Sequence, residues 1–190
     1  MANRNTQGFG LIPAGRLCGG PSIQGQGKYK IDAGHSPTIY NGECVKISSG
    51  YVVGGNGSAA PIIGVLNGIF FNADDTLKPT FSNFYKATIT PANSEDTTAF
   101  VIDDPFQQYV VAADTATGVP TFLETYDMNS SAGSDTTGKS SSTLAIGTTS
   151  ANDKQFRMLR SAEDPENEDA TAVRHSVIVV SNQNSFNGHN

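Results

Sequence analysis

From Lys28 onward the chain is a succession of short apolar, β-branched or aromatic runs, each broken within a few residues by Gly, Pro, Asn, Asp or Ser. Tyr29-Lys30-Ile31-Asp32 alternates and stops at Ala33-Gly34-His35-Ser36-Pro37. Thr38-Ile39-Tyr40 meets Asn41-Gly42, a hairpin signal because both residues tolerate positive φ. Cys44 to Ile47 is closed by Ser48-Ser49-Gly50, and Tyr51-Val52-Val53 follows. Ile62 to Leu66 and Gly68 to Phe71 are the most apolar runs and read as buried strands with a bulge near Gly64 or Gly68. Strand signals recur at Phe81 to Ile89, Thr98 to Ile102, Gln107 to Ala112, Leu144 to Ile146, Gln155 to Leu159 and Ser176 to Val180. No long amphipathic helix interrupts them. One short helix is admissible, over Pro120 to Met128, where Phe122, Leu123 and Tyr126 share a helical face. Strands at a spacing of about 8–12 residues predict an all-β fold, a single antiparallel β-barrel or β-sandwich. The pattern does not choose between the two.

The first 26 residues break this pattern. They are rich in Gly, Pro, Asn and Gln, with isolated apolar residues at Phe9, Leu11, Ile12 and Ile23 and no helical or strand period. Such a segment cannot by itself bury enough surface to offset its conformational entropy. The expected organisation is an extended N-terminal arm over residues 1–26, followed by a β-rich domain over residues 27–190. The arm either stays loose or orders against a partner, with Phe9, Leu11, Ile12 and Ile23 as its apolar contacts.

Composition narrows the function classes. Only 16% of residues are charged, and the polar surface comes from Ser, Thr, Asn, Gln and Gly, which suits exposed, turn-rich β proteins. A net charge of -6 argues against a nucleic-acid partner, which needs clustered Lys and Arg; Lys154, Arg157 and Arg160 are answered by the acidic stretch Glu163 to Asp169. No apolar run approaches the roughly 18 residues of a membrane-spanning helix. The start lacks the apolar core of a secretory signal, so synthesis in a cytoplasm is expected. In that reducing setting Cys18 and Cys44 are expected as unpaired thiols.

Reaction chemistry is hard to place. His35, His175 and His189 are dispersed, and no nucleophile elbow, phosphate loop or dinucleotide fingerprint occurs. The carboxylates at Asp74-Asp75, Glu95-Asp96 with Asp103-Asp104, and Glu163 to Asp169 are of the kind that does acid–base work on sugars, but the chain has no Trp to line a glycan cleft. The 164–169 stretch lacks the spacing of a calcium loop and reads as a solvated segment. No catalytic, cofactor-binding or metal-ligating residue is expected, and no cofactor.

Several phrases carry a resemblance. Met1 to Gly15 (MANRNTQGFGLIPAG), Gln26 to Gly34, Gly64 to Phe71 and Ile89 to Pro105, followed by Gln107-Gln108-Tyr109-Val110-Val111, resemble virion structural proteins of marine podovirus-type bacteriophages, among them capsid decoration (cement) proteins. The likeness covers most of the chain and contains no chemistry-bearing motif. It implies a non-enzymatic protein on the outer surface of a phage capsid, synthesised in the host bacterial cytoplasm. There it would bridge neighbouring major capsid protein subunits and copies of itself, with no nucleic-acid or membrane partner. The alternative within structural proteins is a tail or fibre component; those from other classes are a carbohydrate-binding adhesion module and a hydrolase for which no residue set can be nominated.

Overall fold

A computed structural model describes residues 2–19, 25–57, 61–116, 122–129, 133–147 and 153–186. The fold is nearly all β, in two antiparallel sheets. The strands are β1 (Ile12–Arg16), β2 (Gly27–Ile31), β3 (Cys44–Ser48), β4 (Tyr51–Gly54), β5 (Gly64–Asn72), β6 (Pro79–Ser82), β7 (Thr97–Ile102), β8 (Gln107–Ala112), β9 (Thr125–Tyr126), β10 (Phe156–Ser161) and β11 (Ser176–Ser181). The first sheet has the order β1-β8-β11-β10-β9, and the second has β2-β7-β5-β3-β4 with β6 paired to β5.

Alternation along the strands decides which face each residue takes. In β8, Tyr109 and Val111 point inward, and they pair with Val179 and Val177 of β11, giving an apolar inner row. This row packs with Phe156 and Met158 of β10 and with Leu11, Met128 and Leu144 from irregular segments. Tyr109 and Phe156 meet edge to face at 6.4 Å, a favoured aromatic geometry.

The second sheet serves two cores at once. Cys44, Val65 and Ile102 form one cross-strand row and join the first core. Their neighbours Val45, Leu66 and Val101 turn the other way into a second core, with Ile31, Val52, Ile69 and Ala99. The end strands β2 and β4 are in contact, so the sheet curls around this second core as a small, partly closed barrel. Both architectures named as alternatives are thus present: a curled sheet, with a second sheet packed on its outside.

Local signals account for the joints. Ser49 and Gly50 both have positive φ, 51° and 87°, and close the β3–β4 hairpin. The expected bulge in the apolar stretch lies between Leu66 and Gly68. Asn41-Gly42 does turn the chain, but no hairpin follows, because Ile39 pairs with Tyr85 instead of with β3. The short helix considered for Pro120 to Met128 does not form over its described residues: Thr125–Tyr126 is β9, paired with β10, and Leu123 is left-handed at φ 70°.

The N-terminal segment does not stand apart from the β domain. β1 is the edge strand of the first sheet, in register with β8 from Ile12↔Val110 to Arg16↔Gln107. Ahead of it, the Gly10 amide donates to the Ser142 carbonyl at 3.1 Å and the Leu11 amide to the Gly42 carbonyl at 2.8 Å. Gly10 has φ 73°, and a Cβ there would lie 2.7 Å from the Gly42 carbonyl oxygen, so both backbone and space call for glycine. Further forward, Asn3 Nδ2 donates to the carbonyls of Asp169 (3.0 Å) and Val173 (2.9 Å), and its Oδ1 accepts the Asp169 amide at 3.0 Å. The Asn5 amide donates to Asn167 Oδ1 at 2.7 Å, and Arg4 pairs with Glu166. The polar residues that made this segment look unstructured are what fasten it.

Candidate functional site

The four residues expected to contact a partner have different fates. Leu11 is 2% exposed and belongs to the first core, so as a partner contact it is corrected. Its apolar character serves the fold. Phe9 is half-buried, and Ile12 is exposed on the outward face of β1. Ile23 lies outside the described residues. Ile12 and Leu17, at either end of β1, and Phe106, just before β8, are all exposed. The Leu17 amide donates to the Phe106 carbonyl at 2.9 Å. Arg16 is held against Asp104 at 2.6 Å. Among the described residues β1 pairs with β8 alone, so this end of the first sheet is an edge with Ile12, Leu17 and Phe106 exposed around it.

A second apolar surface sits on the outside of the curled sheet, where sequence reasoning placed only buried strands. Ile69 is fully buried, so strand alternation turns Phe70 outward. Register then sets Lys30, Thr98, Phe70 and Phe81 in one row across β2, β7, β5 and β6. The adjoining row runs Lys28, Phe100, Gly68. Gly68 has no side chain to fill its place; a Cβ there would come within 2.7 Å of the Phe81 ring. The Phe81 ring accordingly lies over Gly68 and tilts against Phe100, centroids 6.1 Å apart. Phe81 remains 64% exposed and Phe70 39%. Beside this strip a cleft of about 130 Å³ is lined by Lys30, Phe70, Phe71, Pro91, Glu95 and Asp96, among others. Nothing in the linear sequence marks this surface, because β5 is apolar on both faces and its outward partners come from three other strands.

The reactive side chains are set differently. Ser161 Oγ and His175 Nε2 are 2.9 Å apart, because β10 and β11 bring together residues distant in sequence. His175 is only 1% exposed, and burial lowers its pKa against the pull of Glu168 and Asp169. A neutral imidazole is the right form for a base; the His175 ring is buried, while Ser161 is only partly buried. Cys44 is fully buried and its thiol donates to Asn56 Oδ1 at 2.8 Å; burial, then Glu43, pushes its pKa far above the ordinary thiol range. That is the opposite of an activated nucleophile. Glu43 is pushed up to about 7 by burial, although its Oε2 accepts the Tyr40 amide at 3.0 Å. Cys18 and Cys44 are both unpaired, as expected. Among the described residues no group of three or more His, Cys, Asp or Glu side chains is placed to hold a metal, and no helix is long and apolar enough to cross a membrane.

Compared with protein-family models, with curated proteins and with solved structures, the chain gives no match. Function has to be read from its own surfaces.

Proposed function

We propose that this is a non-enzymatic virion structural protein that binds the outside of a phage capsid and bridges neighbouring major capsid protein subunits. The observation that carries the reading is the pair of exposed apolar surfaces on different sheets: the open β1 edge with Ile12, Leu17 and Phe106, and the Phe70–Phe81–Phe100 strip. A bridging protein needs two contacts, and two moderate contacts held on one rigid body give avidity that neither has alone. Exposed aromatic and aliphatic patches on an otherwise polar surface are the usual mark of protein contact. An unpaired strand edge adds backbone donors and acceptors that a neighbouring strand can satisfy.

The test is addition of purified protein to shells stripped of it. Saturable binding at fixed stoichiometry, with shells that melt at higher temperature, is the expected result. Ile12→Asp and Phe106→Asp should weaken binding at least tenfold, as for loss of interface contacts. Absence of binding to any shell removes the reading.

A second reading, a tail or fibre component or an adhesion module that takes a glycan, is favoured by the cleft beside Phe70. There an exposed ring and Pro91 border Asn72, Glu95 and Asp96, groups able to meet sugar hydroxyls. Binding to a glycan array that is lost in Phe70→Ala would support it over the shell reading.

A further inference from the structure

We infer that residues 163–174 form a hinged flap that opens when His175 takes up a proton. The inference goes beyond the capsid reading and does not depend on it.

The flap leaves the first sheet after β10 and returns to it at β11. Its two ends have the backbone of hinges. Glu163 and Arg174 are both left-handed, φ 55° and 66°, a conformation that residues with a Cβ keep only where their surroundings hold them in it. Just outside these hinges, Ser161 Oγ and His175 Nε2 close the neck at 2.9 Å. Between them Asn167 alone is buried, and no apolar side chain of the flap joins either core.

What holds the flap down is polar. The Asn167 carbonyl accepts the Ser176 amide at 3.0 Å, and Asn167 Oδ1 accepts the Asn5 amide at 2.7 Å. Asn3 bonds to Asp169 and Val173, and Arg4 pairs with Glu166. A segment fastened by surface hydrogen bonds, without an apolar anchor, is among the parts of a fold that open most readily.

His175 makes that opening depend on pH. Its ring is buried at the root of the flap, so the closed state disfavours the charged ring. Burial outweighs the opposite pull of Glu168 and Asp169, which lie on the flap itself. The other charged groups near the neck are engaged elsewhere. Arg160 of β10 pairs with Glu163, Arg4 of the N-terminal segment with Glu166, and Asp114 beyond β8 accepts the Ile146 amide and Asn129 Nδ2. Arg174 precedes the ring in the chain.

In an open flap the ring meets water and titrates near its ordinary 6.5. The open state then binds the proton more tightly. The advantage of the closed state is complete above that value and shrinks as pH falls through it. Glu43, raised to about 7 by burial, acts in the opposite sense and steadies the body on acidification. Acid thus loosens the flap while the sheets stay folded. Asn3, Arg4 and Asn5 lose their partners, whereas β1 keeps its pairing with β8. The first few residues are then free to engage a neighbouring surface.

The experiment is hydrogen–deuterium exchange of the full chain at about pH 7.5 and about pH 5.5, either side of an ordinary histidine, with rates corrected for their intrinsic pH dependence. Peptides covering residues 2–9 and 162–175 should open about tenfold more often at the lower pH, the ratio set by a ring that titrates freely only when open. Peptides from β5, β7 and β8 should not change. His175→Gln can still bond to Ser161 but cannot titrate, and it should abolish the difference; His35→Gln should retain it. Should His175→Gln fail to fold, an NMR titration of the unaltered chain decides, with the Asn3, Asn5 and Asp169 amides expected to shift at the midpoint of the His175 ring. Equal protection at both pH values, a response that survives His175→Gln, amides that titrate apart from the ring, or protection lost across both sheets would each overturn the inference.

Discussion

The two hydrophobic cores are built by different means. The core inside the curled sheet is filled mainly from strands: Ile31, Val45, Val52, Leu66, Ile69, Ala99 and Val101 come from five strands that alternate in and out. The core between the sheets draws Leu11, Ile62, Met128 and Leu144 from irregular segments, and buried polar groups flank it. Gln155 is the clearest of these. It is fully buried, its Nε2 donates to the Gly55 carbonyl at 2.6 Å, and its Oε1 accepts the Met128 amide at 3.1 Å. It ties the end of β4 to the far sheet. The curled sheet is thus specified by alternation, which acts locally, and the inter-sheet core by a few side chains that must all arrive. The second kind of core fails by losing one member.

The sharpest break is removal of residues 1–16. It strips an edge strand, withdraws Leu11 and frees the loop held by Asn3, Arg4 and Asn5. The loss should approach the whole stability of a domain this size, about 5–15 kcal/mol, so the truncated chain should aggregate or melt without cooperativity. A truncated chain that melts as sharply as the full one would return the segment to the status of a separate arm. Leu11→Ala should cost about 2–5 kcal/mol in denaturant unfolding, as for other buried leucines. A cost below about 1 kcal/mol would mean that the core closes without it.

Gln155→Ala leaves a buried carbonyl and a buried amide without partners and should cost about 2–3 kcal/mol. A neutral outcome would show that water replaces the side chain and that the tie between sheets lies elsewhere. The smallest effect concerns Glu43. Its carboxyl titrates near 7 when folded, raised by burial from an unfolded value near 4.5. The folded state therefore holds the proton more tightly, and stability falls as pH rises from about 4.5 to about 7. Glu43→Gln keeps an acceptor for the Tyr40 amide and removes the buried charge. It should stabilise by about 1–2 kcal/mol at pH 8 and by nothing near pH 4.5. Melting curves that shift equally at both pH values would show that Glu43 is ionised and solvated in the fold.

What was legible in the sequence follows the same division. The runs at Thr98 to Ile102, Gln107 to Ala112 and Ser176 to Val180 read as strands and are strands, because β-branched and aromatic residues there suit a pleated, packed surface. Phe81 to Ile89 read as one strand, yet the β6 ladder with β5 ends at Ser82, whose hydroxyl donates to the Phe84 carbonyl at 2.8 Å, and Tyr85 pairs separately with Ile39. The N-terminal segment reads as unstructured because its order comes from partners far along the chain, from Gly42 through β8 to Asp169, which composition does not register. The same limit hid the aromatic face. Phe70, Phe81 and Phe100 become neighbours only once register is set across three strands, and a one-residue slip would have turned each of them inward.

The most direct test of the proposed capsid role is a cryo-EM map of the phage particle proposed to carry this protein. The account predicts density for the two-sheet body on the outer surface of the shell, with the β1 edge against a major capsid protein subunit and residues 2–16 folded into their own domain. Density confined to the tail, or a particle without the protein, would contradict it.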